Sequence, residues 1–290
     1  MRIFVTGATG FVGSAVTAEL LAHGHQVLGL ARNDANAAAL TAAGASVHRG
    51  DLTDPASLTA GAAACDGVIH TGFIHEFHRM AEVSEIDRQA ILALGKALHG
   101  SNRPIVVTSG TALVNPGQMA TETDTPGIQA HAHPRIASEL AAIAVADIGV
   151  HISVVRLSPS VHGDGDHGFL PLLIRLARDT GVSAYIEPGR NRWTAVHRRD
   201  AARLYRLALE KGRAGARYHG VGEEAVAFKD IAGAIGRGLT LPVTGKSPER
   251  AADHFGWFAA FAGLDCPASA ALTRSELGWL PTQPGNTRPR

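Results

Sequence analysis

The sequence predicts an α/β protein: a doubly wound parallel sheet followed by a smaller C-terminal lobe. Three observations predict it. A β-branched and aromatic run, Ile3 to Thr6, leads straight into spaced glycines and an apolar-periodic helix from Phe11 to Ala22. Strand-like and helix-like stretches then alternate through the first half of the chain, the rhythm of a parallel sheet. From Ser158 the alternation becomes less regular.

The opening stretch, Ile3-Phe4-Val5-Thr6-Gly7-Ala8-Thr9-Gly10-Phe11-Val12-Gly13, organises the rest. Gly7 allows a sharp turn off the strand. Gly10 allows close backbone approach to a pyrophosphate, and Gly13 allows the helix to pack tightly on the strand. The N–H groups that open the helix, at Phe11 and Val12, suit an anion. Taken together, a strand, three glycines and a helix read as a nucleotide site rather than a plain tight turn.

Further elements follow in order. His23-Gly24-His25 closes the first helix with a glycine cap. Gln26 to Leu30 is a strand that ends in Ala31 and Arg32, with no carboxylate at that point. An acid there would favour NAD. An Arg can pair with a 2′-phosphate, so NADP(H) is expected. The alternative is a solvated Arg32, with Asp34 turned back to the ribose. Asn33 to Ala43 is an Ala-rich helix, and Ala45 to His48 a strand leading to Asp51 and Leu52. Asp54 caps a helix opened by Pro55. Asp66 to His70 is a strand delivering His70-Thr71-Gly72-Phe73, and Glu76 to His99 is one long helix. Pro104 to Ser109 is a strand ending in Thr108-Ser109-Gly110-Thr111. A helix within 131–149 and a strand over His151 to Leu157 complete the alternation. Helices are expected over Phe169 to Thr180, Phe228 to Leu239 and Pro248 to Ala262, and a strand over Arg217 to Val221.

The Thr-Gly-x-x-Gly-x-x-Gly spacing resembles that of the extended and atypical short-chain dehydrogenase/reductases, the NAD-dependent epimerase/dehydratase family. Asp51 after the third strand, the Ser158-to-Gly163 loop, the Trp193-to-Asp200 segment and Leu277-Gly278-Trp279-Leu280-Pro281 extend the resemblance along nearly the whole chain. It implies a Rossmann nucleotide domain over 1–160, completed by roughly 193–221, and a substrate lobe over 161–192 and 222–290. It also implies that Asp51 and Leu52 meet the adenine, and that His70, Thr71 and Gly72 meet the cofactor's phosphate–ribose. Thr9, Thr108 and Ser158 join this cofactor set. A homodimer through the helices after the fourth and fifth strands is a further expectation of the resemblance.

Family members move a hydride between a nicotinamide and a carbonyl/alcohol pair, with Ser or Thr, Tyr and Lys as the usual catalytic set. Ser109 fits the hydroxyl role, with Thr111 just beyond it; a Ser that satisfies backbone at the strand end is the bland alternative. No Tyr-x-x-x-Lys is present: the three tyrosines are Tyr185, Tyr205 and Tyr218. Aligned on Ser138-Glu139, Arg135 takes the Lys position and His131 the Tyr position. A second register puts Arg135 at the Tyr position and Glu139 at the Lys position; charge favours the first. His131, with an ordinary pKa of roughly 6.5, then serves as the acid in reduction, its pKa depressed by Arg135. Alternatively His131 and His133 are loop histidines without a role. His162 sits where the family often has Tyr and is another donor, and His75 and His78 follow the fourth strand.

Composition bounds the rest. The chain has 290 residues, 45% hydrophobic but only 5% aromatic, so Ala, Val, Leu and Ile must build the core. A net charge of +1 gives no reason to expect nucleic acid. Two distant cysteines, Cys65 and Cys266, suit a reducing compartment. A strand beginning almost at Met1 leaves no room for a cleaved leader, and no apolar run reaches membrane-spanning length, so a soluble cytoplasmic protein with no membrane partner is expected. His162-Gly163-Asp164-Gly165-Asp166-His167 carries ligand-type residues, yet its glycines suit a flexible turn and no metal is expected. The main expectation is an NADP(H)-dependent oxidoreductase of a ketone or alcohol. The rivals are a catalytically weak NADP(H)-binding sensor and a lyase or isomerase that uses its cofactor transiently.

Overall fold

A computed structural model describes residues 1–126 and 133–285. Seven strands form one sheet: β1 (Arg2–Thr6), β2 (Gln26–Ala31), β3 (Ser46–Arg49), β4 (Gly67–His70), β5 (Ile105–Gly110), β6 (Ile152–Leu157) and, later in the chain, Arg217–Gly220. Their order is Arg217–Gly220, β6, β5, β4, β1, β2, β3, and every neighbouring pair is parallel. The order reverses beside β1, where a doubly wound sheet opens a crevice at its carboxyl edge.

Alternation along β1 separates the two faces. Ile3 and Val5 enter a core with α1 (Phe11–Ala22), α2 (Asp34–Ala42) and the helix Arg198–Lys211. Phe4 points the other way, into a core with α3 (Pro55–Ala63), α4 (Met80–Leu98) and α5 (Ile136–Asp147). Caps set several boundaries. Asn33 accepts from Asn36 N at 2.9 Å, and Asp54 accepts from Ala56 N and Ser57 N, so α2 and α3 begin where their cap residues dictate.

The remaining elements make the second part. β7 (Ser160–His162), β9 (Arg192–His197) and β11 (Glu223–Ala227) form a three-stranded sheet in the order β11-β9-β7, and β8 (Ser183–Ile186) pairs with β12 (Val243–Lys246). Arg217–Gly220 is thus β10. The helices α6 (Phe169–Thr180) and α8 (Phe228–Leu239) pack here, while α7 is Arg198–Lys211. β9 bridges the two regions: Trp193 lies in the aromatic lobe core with Phe228, Phe255 and Phe258, and Val196 lies in the core of β1.

Two helices differ from expectation. The stretch 76–99 opens with a 3-10 turn, Phe77–Arg79, before α4. The stretch 248–262 breaks into short pieces, among them α9 (Ala251–Phe255) and α10 (Ala259–Ala262). Gly256 stands at φ +56° between them, a left-handed conformation that ends a helix. The last helix, α11 (Ala271–Leu277), precedes Trp279, which is fully buried in the β1 core.

Candidate active site

The glycine turn is built as its spacing requires. Gly7 has φ +66°, and a Cβ there would lie 2.6 Å from Gly72 N. A Cβ on Gly13 would lie 2.0 Å from the Gly7 carbonyl oxygen, so α1 rests directly on the turn. Gly10 is exposed and precedes α1 without any capping side chain. Among the described residues no side chain caps the first-turn N–H groups, at Phe11 and Val12 among others, which leaves them open to an anion. Thr9 is tied to α2, its Oγ1 accepting from Asn36 Nδ2 at 2.6 Å. Thr71 Oγ1 donates to the Thr6 carbonyl at 2.8 Å, holding the β4 turn against the β1 turn.

At the tips of β2 and β3 the charges separate. Arg32 is exposed. Asp34 pairs with Arg49 at 2.6 Å, both side chains in solvent. Asp51 accepts from Thr53 N at 2.9 Å and from Thr53 Oγ1 at 2.7 Å. The Thr53 bonds, with a contribution from Arg32, hold the Asp51 carboxyl below its ordinary range in spite of burial. Leu52 is half-buried against Gly72, where an added Cβ would come within 3.0 Å of it.

A buried polar chain runs from this turn to β5. His70 Nε2 lies 2.9 Å from Asp87 Oδ1 on α4, and His70 Nδ1 lies 2.7 Å from Thr6 Oγ1. The carboxylate only accepts, so Nε2 carries a proton toward it. Thr6 Oγ1 in turn accepts from Gly72 N at 3.2 Å. Arg135 Nη1 donates to Asp87 Oδ2 at 2.7 Å, and Ser138 Oγ donates to the same oxygen. Burial raises the Asp87 pKa, but Arg135, His70 and Ser138 more than offset that and hold it down to about 2. Arg135 Nη2 also donates to the Thr108 carbonyl at 3.2 Å, and its guanidinium lies 4.0 Å over the Phe73 ring. The Thr108 hydroxyl donates to the His70 carbonyl and lies 2.7 Å from the buried Tyr205 hydroxyl.

Ser109 belongs to a second buried cluster. Its hydroxyl donates to Glu139 Oε2 at 2.8 Å. Glu139 and Arg156 are both fully buried and form an ion pair, which Arg217 joins at 3.2 Å. Thr111 is buried, 3.1 Å from Thr194 Oγ1. Ser158 Oγ donates to the Gly220 carbonyl at 2.8 Å, which fastens the end of β6 to β10. The bland alternative for Ser109, satisfaction of local backbone, is thus replaced by a bond to a buried acid that sequence reasoning placed only as part of a motif.

Histidines collect near Arg135. His131 lies outside the described residues. His133 is half-buried, its Nδ1 accepting from Arg135 N at 3.2 Å; burial and then Arg135 push its pKa down. His75 reaches solvent, yet its ring is crowded by protein, and that crowding, then Arg135 and His167, depresses its pKa. His75 also meets the Phe73 ring edge-on at 5.3 Å. His162 is buried, edge-on to His197 at 5.4 Å. Among the described residues no group of three or more His, Cys, Asp or Glu could hold a metal ion. Nor, among them, is any helix long and apolar enough to cross a membrane.

Sequence reasoning missed Asp87, whose signal is an acid at a buried helix position among apolar neighbours. It also missed Arg198, half-buried at the start of α7 with its guanidinium 4.6 Å over the Phe11 ring.

Residues 3–221 match the model of the NAD dependent epimerase/dehydratase family. An uncharacterized protein of Schizosaccharomyces pombe is 48% identical over 97% of this chain and 95% of its own length. The 2-alkyl-3-oxoalkanoate reductase of Stenotrophomonas maltophilia is 30% identical over 74% of this chain and 67% of its own. Among solved structures, a nucleoside-diphosphate-sugar epimerase from Pseudomonas aeruginosa superposes with a TM-score of 0.80 at 19% identity, covering 98% of this chain and 93% of that one, a likeness of fold.

Proposed function

Because this chain belongs to the NAD-dependent epimerase/dehydratase family, we propose that it is an NADP(H)-dependent oxidoreductase of a ketone or secondary alcohol. The observation that carries the reading is the buried chain Thr6–His70–Asp87–Arg135, which fixes a cation beside the strand ends next to the glycine turn. The similarity to a 3-oxoalkanoate reductase supports a carbonyl substrate. A bound nicotinamide would supply or take the hydride.

The chain's own residues have these roles. The N–H groups that follow Gly7, Thr9 and Gly10, at Phe11 and Val12, hold the diphosphate. Exposed Arg32 holds a 2′-phosphate, with Asp51 and Leu52 at the adenine. Thr71, Gly72, Thr108 and Ser158 line the path to the nicotinamide, and Arg135 donates to the ribose. His70 supports Arg135 through Asp87. Ser109 and Thr111 stand at the β5 end. Since the Ser109 proton goes to Glu139, its oxygen is available as an acceptor rather than a donor. The proton for a reduced carbonyl then comes from a histidine of the strand-end loops, His75 or His162, or from His131.

One observation favours the sensor reading: Ser109 donates into the protein instead of toward a substrate. Both readings are tested by NADPH and NADH oxidation over a panel of ketones at pH 6 and pH 8, with His75→Phe and His131→Phe beside the parent. NADPH-specific turnover that weakens at pH 8 and in one variant is the expected result. Tight NADPH binding without turnover on any ketone would favour the sensor.

A further inference from the structure

The segment from His162 to Gly168 plays no part in the reading above beyond His162, yet it is built around one cation. Gly163 and Gly165 follow β7 at φ +141° and φ +81°. Arg198 Nη1 donates to the Asp164 carbonyl at 2.7 Å, and its Nη2 donates to Ser14 Oγ on α1 at 2.8 Å. The guanidinium lies 4.6 Å over the ring of Phe11, the first residue of α1. His167 also meets that ring edge-on, at 5.7 Å. A Cβ on Gly163 would lie 2.9 Å from His197 Nε2 and 3.0 Å from Arg198 Cγ. The glycine therefore leaves the room in which the Arg198 stem passes.

We propose that Arg198 is a diphosphate-binding residue of the dinucleotide site, delivered to the start of α1 by the Gly163–Gly168 strap. The inference rests on the dinucleotide reading and adds a side chain to what had been a backbone site. Its two bonds go to uncharged oxygens, a hydroxyl and a carbonyl, which a phosphate oxygen outcompetes as acceptor. The Phe11 face fixes the guanidinium plane while leaving its N–H edge usable. Burial and neighbouring Arg199 press on the charge, with Asp164 acting the other way, so a bound anion relieves a strain already present. The site is distinct from the 2′-phosphate end, where Arg32 stands at the tip of β2.

The test compares ADP-ribose with adenosine, which lacks phosphate, by titration calorimetry on the parent, Arg198→Met and Arg198→Lys, with thermal melts of all three. The expected result is ADP-ribose binding weakened about tenfold or more in Arg198→Met, adenosine binding unchanged, and part of the loss regained with lysine. Unchanged ADP-ribose binding in Arg198→Met would overturn the assignment and leave the dinucleotide reading intact. Equal loss of both ligands would make Arg198 a fold residue and overturn it as well. A parent that binds no ADP-ribose would remove both the assignment and the reading beneath it.

Discussion

Asp87 on α4 and Arg135 at the start of α5 meet at 2.7 Å, the acid almost wholly buried and the guanidinium lying on Phe73. The guanidinium is a bulky, permanently charged group, and here a buried carboxylate lies behind it. Asp87→Asn keeps the shape and removes the charge. It is expected to destabilise the fold by about 3 kcal/mol, because Arg135 keeps its charge and loses its ion pair. A double variant with Arg135→Met should recover much of that. Urea melts of the two single variants and the double give the coupling, and additive losses would show that the pair does not act together.

Gly13→Ala is expected to abolish dinucleotide binding. The new Cβ would stand 2.0 Å from the Gly7 carbonyl, so α1 must move off the turn. A soluble variant with parental ADP-ribose affinity would contradict this account of the turn. Gly24→Ala makes a useful contrast: φ is +77° there, but among the described residues nothing lies within 4 Å of the added carbon, so its effect should be confined to stability.

The proposed preference for NADP(H) is tested at Arg32, which is exposed at the tip of β2. Arg32→Ala should lower kcat/KM for NADPH about tenfold while leaving that for NADH within a factor of about two. Asp34 is held by Arg49, so releasing it with Arg49→Ala should move the balance further toward NADH. Equal effects of Arg32→Ala on both cofactors would count against a 2′-phosphate contact.

His219 sets an acid limit on stability. The ring is fully buried, with Nδ1 2.7 Å from the Ser269 carbonyl and Nε2 3.3 Å from Arg156 Nη1. Burial and Arg156 push its pKa down to about 4. A depressed pKa means that the unfolded chain takes up the proton first as pH falls. Stability from this group is full above about pH 6.5 and is lost progressively down to about pH 4. Melting temperatures across that window should fall, and His219→Gln should flatten the slope.

Local chemistry made much of this fold legible in advance. The glycine turn, the Asn33 and Asp54 caps and the strand–helix rhythm all depend on residues within a few positions of one another, and the observed strands follow that rhythm. The site was less legible where partners are distant in sequence. Asp87 and Arg135 are 48 residues apart, and Ser109 reaches Glu139 across 30, so no spacing announces either bond. The break at Gly256 was hidden by apolar residues on both sides, which kept a helical period through a backbone that does not. Nothing in the run Arg198-Arg199-Asp200 singles out Arg198; only the approach of α7 to α1 puts it on Phe11.

The core around Ile3 and Val5 also contains Leu277 and Trp279, and the Trp279 indole N–H donates to the Asp200 carbonyl on α7. β1 thus waits for Leu277 and Trp279 before its hydrophobic face is closed. During synthesis the amino-terminal half would leave the ribosome with its sheet lacking β10 at one edge and its α7-side core open. Folding of this protein is therefore expected to complete only once Trp279 has emerged from the ribosome, with the nascent chain exposed to chaperones until then. A ribosome-stalled chain ending before Trp279 should remain protease-sensitive throughout its first strands.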